Sequence, residues 1–121
     1  MSKFVLVAED DPDILSLVLA VLEEEGFRVG STAGADTLAE VERNRPDIVL
    51  LDYQMPGMDG IEIARRLKAN SATADIPIIA MTAAGRAAFV CREMDASGCL
   101  GKPFDIDELV SVVDQMVHTA H

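Results

Sequence analysis

The sequence predicts an α/β domain: a doubly wound, five-stranded parallel sheet with helices on both faces. Short apolar runs of strand length alternate five times with stretches whose apolar residues recur at helical spacing. The runs are continuous rather than alternating, which suits strands buried on both faces. Four of them end in polar or charged residues, at Glu9-Asp10, Asp52, Thr82 and Lys102. In an open α/β sheet those ends share one edge, where ligands bind.

Each element has a local reason. Phe4-Val5-Leu6-Val7-Ala8 is the first strand. Pro12 then suits a first helical turn, with Asp11 as its N-cap. Ile14, Leu17, Val18, Val21 and Leu22 give that helix its inward stripe, and Gly26 stops it. Residues 27–32 read as a weaker second strand. A short helix over 35–43 turns Leu38 and Val41 inward before Asn44 and Pro46 end it. Ile48-Val49-Leu50-Leu51 is the most apolar strand, and Asp52 follows it directly. Pro56, Gly57 and Gly60 punctuate a loop. Asp59 and Glu62 form a capping box for a helix over 60–69, with Ile61, Ala64 and Leu67 on one face. Arg65, Arg66 and Lys68 fall on its solvated side, and Met55 and Met58 read as loop packing.

Residues 76–81 predict a fourth strand, with Pro77 at its start, where a missing N–H is tolerated. Ala84, Ala87, Ala88, Cys91 and Met94 then form a small-residue helical stripe. Cys99-Leu100 is a brief fifth strand leading to Gly101-Lys102-Pro103. Asp105 and Glu108 make a second capping box. Ile106, Leu109, Val110, Val113, Met116 and Val117 face the core from a last helix. His118 and His121 are expected to lie in a frayed end. Right-handed crossovers turn this order into a parallel sheet with helices on both sides.

Length and composition narrow the function. The 121 residues suit one domain, spanning 1–121, with no second domain expected. Half the residues are hydrophobic and none is Trp, so the core is aliphatic. The net charge of −11 argues against a nucleic-acid surface, which needs a basic patch. No run is long enough to span a bilayer, and the N-terminal residues lack the pattern of a signal peptide. The two cysteines, Cys91 and Cys99, are eight apart with no CxxC motif; free buried thiols in a reducing compartment, the cytoplasm, are expected ahead of the alternative, a disulfide between them.

The strand ends carry the chemistry. A carboxylate such as Asp52 at the end of a buried strand is expensive unless paired, metal-bound or hydrogen-bonded. Asp52 can be a functional group or merely the cap of a turn. With Glu9 and Asp10 beside it, repulsion reaches about 4 kcal/mol per pair at 4 Å in a medium of dielectric 20. A divalent cation would offset this, and an oxygen-only ligand set points to Mg²⁺. Lys102 adds fixed positive charge and Thr82 a hydroxyl, an arrangement that suits an incoming dianion. Lys102 could instead simply neutralise the acids as a buried ion pair.

The segments Val5-Leu6-Val7-Ala8-Glu9-Asp10-Asp11, 47–60 (centred on Leu51-Asp52-Tyr53-Gln54-Met55-Pro56-Gly57), Ile78-Ile79-Ala80-Met81-Thr82-Ala83 and Lys102-Pro103-Phe104 resemble, in order and spacing, the receiver domain of two-component response regulators. The resemblance covers essentially the whole chain and implies a (βα)5 flavodoxin-like receiver fold. It implies that Asp52 accepts a phosphoryl group from a phosphohistidine donor, either a sensor histidine kinase or a histidine phosphotransfer protein. It implies that Asp10 and Asp52 bind Mg²⁺, with Glu9 acting through water and the Gln54 backbone carbonyl completing the protein ligands. Thr82 and Lys102 would hold the phosphoryl oxygens, and the Lys102–Pro103 peptide would be cis.

The switch residues would be Thr82 and the position three before the lysine. The family usually has an aromatic there; this chain has Cys99. Gln54 and Ala84, two beyond Asp52 and Thr82, are the positions that tune phosphoryl lifetime. The implied protein is a stand-alone receiver with no output domain. It would phosphorylate itself and slowly dephosphorylate, without turnover of other substrates. It would signal to a downstream protein through the last helix and the strand and helix before it. The alternative, motivated by Cys99, is a degenerate receiver that binds a partner regardless of phosphorylation.

Overall fold

The computed structural model describes residues 2–119. Strands β1 (Phe4–Ala8), β2 (Arg28–Thr32), β3 (Ile48–Asp52), β4 (Ile78–Ala83) and β5 (Gly98–Lys102) alternate with helices α1 (Pro12–Glu24), α2 (Asp36–Asn44), α3 (Gly60–Ala69), α4 (Ala87–Met94) and α5 (Ile106–Thr119). All strand pairs are parallel, in the order β2-β1-β3-β4-β5. The doubly wound expectation therefore holds, with β3 central and its last residue, Asp52, at the middle of the carboxyl edge.

The period-two alternation of a strand divides the core. Leu6, Val49, Leu51, Ile78 and Ala80 pack with Val41, Ile63, Ala64, Leu67, Val90 and Met94, under α2, α3 and α4. Val5, Val7, Ile48, Leu50, Ile79, Met81 and Leu100 pack with Val18, Leu22, Leu109 and Val113, under α1 and α5. Burial on both faces explains why β1, β3 and β4 read as apolar runs, while β2 and β5, at the sheet edges, are more polar and only partly buried.

The caps act as their residues suggest. Asp11 accepts from the Asp13 and Ile14 amides, at 2.9 and 3.3 Å. Asp105 and Glu108 exchange both bonds of a capping box. Asp59 accepts from the Glu62 amide at 2.9 Å, but the Glu62 carboxylate accepts from Arg66 Nε instead of closing the box. Gly60 sits where β3 exits: a Cβ there would lie 2.5 Å from the Asp52 carbonyl oxygen and 2.6 Å from Met94 Cε. Met55 is buried and its sulfur accepts from the Gly34 amide, consistent with loop packing.

Several helical expectations need correction. Leu17 and Ile106 are 46 and 50 % exposed, so each stripe is narrower than its apolar residues suggest. Residues 84–86 form a 3₁₀ turn, and α4 begins only at Ala87. Ala84 and Ala88 are exposed, and the buried side of α4 is Val90 and Met94. Ile76 and Pro77 precede β4 rather than opening it. Helix α5 still includes position 118, while His121 lies outside the described residues.

Cys91 and Cys99 also depart from expectation. They are not separate thiols but are joined as a disulfide, with Cα atoms 6.0 Å apart. The turn after α4 returns the chain along β5, so an eight-residue spacing that carries no motif becomes a direct contact between helix and strand.

Candidate functional site

Asp52 ends the central strand and is 4 % exposed, because β1 and β4 flank it. Glu9 directly follows β1 and is 2 % exposed. Its Oε2 accepts from the Asp11 amide at 3.1 Å, which fixes the β1–α1 turn. Asp10 stays exposed on that turn. One carboxylate oxygen from each of Glu9, Asp10 and Asp52 lies within 4.8 Å of the others.

Lys102 reaches this group from the end of β5, at the far side of β4. Its Nζ donates to Glu9 Oε1 at 2.8 Å and to Asp52 Oδ1 at 3.1 Å. The peptide from Lys102 to Pro103 is cis. Thr82, near the end of β4, is buried and lines the same cavity of about 320 Å³ with Glu9, Asp10, Asp52, Gln54 and Lys102. Thus the acids, Gln54, Thr82 and Lys102 come together at the carboxyl ends of four strands, β1, β3, β4 and β5. Cys99 does not: it lies three residues back on β5, bonded to Cys91 on α4. Asp11 and Ala83 also line the cavity; the sequence marks Asp11 as a helix cap and both as members of the family-like segments, but neither as a site residue.

Burial pushes the Asp52 carboxyl up to about 6, the Glu9 charge adds to this, and Lys102 offsets only part of it. Burial opposes the Lys102 charge, but its hydrogen bond to Glu9 and the Asp52 charge outweigh that and hold the ammonium above its usual range. Three anionic groups and one cation leave the pocket negatively charged and short of positive charge. The donor set is oxygen only, with one ligand position exposed on the Asp10 turn, and so fits a hard divalent cation such as Mg²⁺ that retains several waters.

Residues 5–114 match the response regulator receiver domain family. The chain is 39% identical over 116 residues to sporulation initiation phosphotransferase F of Bacillus subtilis (strain 168), covering 93% of this chain and 92% of that protein. It is 36% identical over 114 residues to the phosphate regulon transcriptional regulatory protein PhoB of Escherichia coli (strain K12), covering 92% of this chain but only half of that longer protein. The receiver domain of sensor histidine kinase PA1611 from Pseudomonas aeruginosa PAO1, solved with magnesium coordinated in its active-site cleft, superposes with a TM-score of 0.89 at 28% identity, covering 98% of this chain and 100% of that one. As a class, such domains serve as phosphoryl acceptors, typically bind Mg²⁺ at an acidic pocket and interact with histidine kinases or phosphotransfer proteins. On the strength of a match that runs through nearly all of its residues, the chain belongs to the response regulator receiver domain family of two-component signalling.

Proposed function

We propose that the chain is a cytoplasmic phosphorylation switch with Asp52 as phosphoacceptor. The carrying observation is a buried carboxylate at the centre of the sheet edge, with two more acids and a lysine converging on it from the ends of β1 and β5. An Asp52 oxygen attacks the phosphorus of a phosphohistidine in line. The new P–O bond forms as the P–N bond breaks, and the released imidazole takes up a proton. Lys102 and Thr82 hold the equatorial oxygens, where charge accumulates in the transition state. Glu9, Asp10, Asp52 and the Gln54 carbonyl would hold a Mg²⁺ ion, which when bound would supply positive charge against the transferring phosphoryl group.

The phosphorylated Asp52 draws Thr82 inward, and the 3₁₀ turn and α4 that follow it re-pack against β5. The changed surface of α4, β5 and α5 then binds a protein partner, and the whole chain's net charge of −11 argues against a nucleic-acid partner. The protein turns over no external substrate. The test is incubation with acetyl phosphate and Mg²⁺, followed by intact mass. One added phosphoryl group is expected, absent without Mg²⁺ and absent in Asp52→Ala; retention in Asp52→Ala overturns the assignment.

A second reading, a binding module indifferent to phosphorylation, is favoured by Cys99 and its bond to Cys91. Equal partner affinity with and without beryllium fluoride would select it.

A further inference from the structure

We propose that Cys91 and Cys99 form a reversible dithiol–disulfide pair that, when oxidised, tethers α4 to β5 and restrains the response to Asp52 phosphorylation. The coupling half rests on the phosphoacceptor reading above; the thiol chemistry does not.

The two sulfurs are supplied by different elements, and they are the chain's two cysteines. Their Cα separation of 6.0 Å lies within the range that disulfides span. Both residues are half-buried, so a small reagent can reach them. Cys91 Sγ lies 3.6 Å from the Gly98 carbonyl oxygen and Cys99 Sγ lies 3.9 Å from the Ala87 carbonyl oxygen, so each sulfur also touches the opposite element. In a reducing compartment such a pair is characteristically transient and sensing rather than structural.

Its place in the fold gives it leverage. Thr82 is followed by the 84–86 turn and then by α4, on which Cys91 lies one turn in. Strand β5 packs against both parts of that segment. A Cβ on Gly101 would fall 2.9 Å from Ala84 Cα, and Cys99 bonds Cys91. A shift of Thr82 towards a phosphoryl group must carry the turn and α4 relative to β5. The covalent tether opposes that shift, and reduction releases it. Cys99 thereby acts as a restraint at a position where family members usually swing an aromatic ring.

The oxidant is a small-molecule disulfide such as oxidised glutathione. One cysteine thiolate attacks it, forming a mixed disulfide and expelling one small thiol. The other cysteine attacks the protein sulfur of that bond, forming Cys91–Cys99 and expelling the second thiol. Two protein thiols are oxidised and one disulfide is reduced to two thiols; excess reduced glutathione runs the sequence backwards.

The test uses the whole chain in buffers of graded reduced-to-oxidised glutathione ratio, quenched with an alkylating agent and weighed intact. The expected result is reversible, concerted loss of both alkylation sites, with no glutathione adduct at the plateau. Persistent alkylation of both thiols, stable glutathione adducts or covalent dimers would overturn the pair. Phosphoryl uptake from acetyl phosphate is then compared in the two states. The expected difference is about fivefold or more, slower when oxidised, as for an ordinary coupling between sites. Cys91→Ser should match the reduced chain in every buffer. Equal uptake in both states overturns the coupling. Loss of uptake in both states, and in Cys91→Ser, sinks the phosphoacceptor reading and the coupling together, while the thiol titration still decides the pair.

Discussion

Replacing Asp52 by Asn should stabilise the metal-free protein. The Asp52 carboxyl is raised by burial and the Glu9 charge from 3.8 to about 6. The folded chain therefore binds a proton more tightly than the unfolded one. Between those two values, stability contributed by the protonated carboxyl is lost as pH rises, and above about 6 the charged group opposes folding by the full amount. At about 1.4 kcal/mol per pH unit, the shift corresponds to roughly 3 kcal/mol. Asn keeps the shape and an acceptor for Lys102 but carries no charge. In EDTA at neutral pH, Asp52→Asn should raise unfolding free energy by about 2–3 kcal/mol, moving a urea midpoint by about 1–2 M for a domain of this size. Near pH 3, below both values, the wild type is mostly protonated in both states, and the gap should nearly close. The assay is urea unfolding followed by circular dichroism at both pH values. An unchanged or lower midpoint at neutral pH would refute the argument, because it would mean that Lys102 compensates the buried charge in full.

Three further outcomes follow from the same geometry. Lys102→Met leaves Glu9 and Asp52 facing each other without their cation; removing one partner of a buried ion pair costs up to about 3–5 kcal/mol, and partial exposure of Lys102 places this case at or below about 3. Its urea midpoint should fall at neutral pH and partly recover on acidification, and acetyl phosphate uptake should be lost. Millimolar Mg²⁺ should raise the melting temperature of the wild type, since saturation at about a hundred times the dissociation constant adds about 2.7 kcal/mol; in Asp10→Ala the increase should shrink or vanish in a thermal scan. Gly60→Ala drives a methyl group against the Asp52 carbonyl and Met94 Cε, so a loss of about 1–3 kcal/mol is expected in urea unfolding, the same substitution at open Gly85 serving as control.

How much of this was legible in the chain depends on the range of the cause. The strands were readable because burial on both faces forbids polar residues, and Val5–Ala8 and Ile48–Leu51 contain none. The site was readable because a parallel sheet puts all carboxyl ends on one edge, so Glu9, Asp52, Thr82 and Lys102 needed no distance information to be grouped. Exposure along the helices was less readable. Leu17 and Ile106 are apolar and in phase, yet whether α1 or α5 covers a given angle depends on how each helix sits on the sheet. The capping box at Asp59 closed only halfway because Arg66, one turn on, competes for Glu62. The cysteine contact was illegible for a similar reason: it is set by where β5 docks beside α4, not by spacing.

The pocket's electrostatics explain why such a site can act as a switch at all. With three carboxylates and one ammonium, the metal-free pocket holds its charge against burial, and Asp52 is the group that registers the strain as a raised proton affinity. The same shortage of positive charge that favours a proton favours a divalent cation. Cation binding in turn lowers the cost of bringing a phosphoryl dianion to Asp52. The free energy released at the sheet edge has a direct outlet, because Thr82 and Lys102 belong to neighbouring strands β4 and β5, paired Thr82 to Gly101 and Ala83 to Lys102. A ligand that engages both residues acts on two adjacent strand ends at once, and the turn that Gly101 packs against leads into α4. Charge compensation and mechanical response are thus carried by the same few residues, which is why a substitution such as Asp52→Asn is expected to gain stability and lose signalling together.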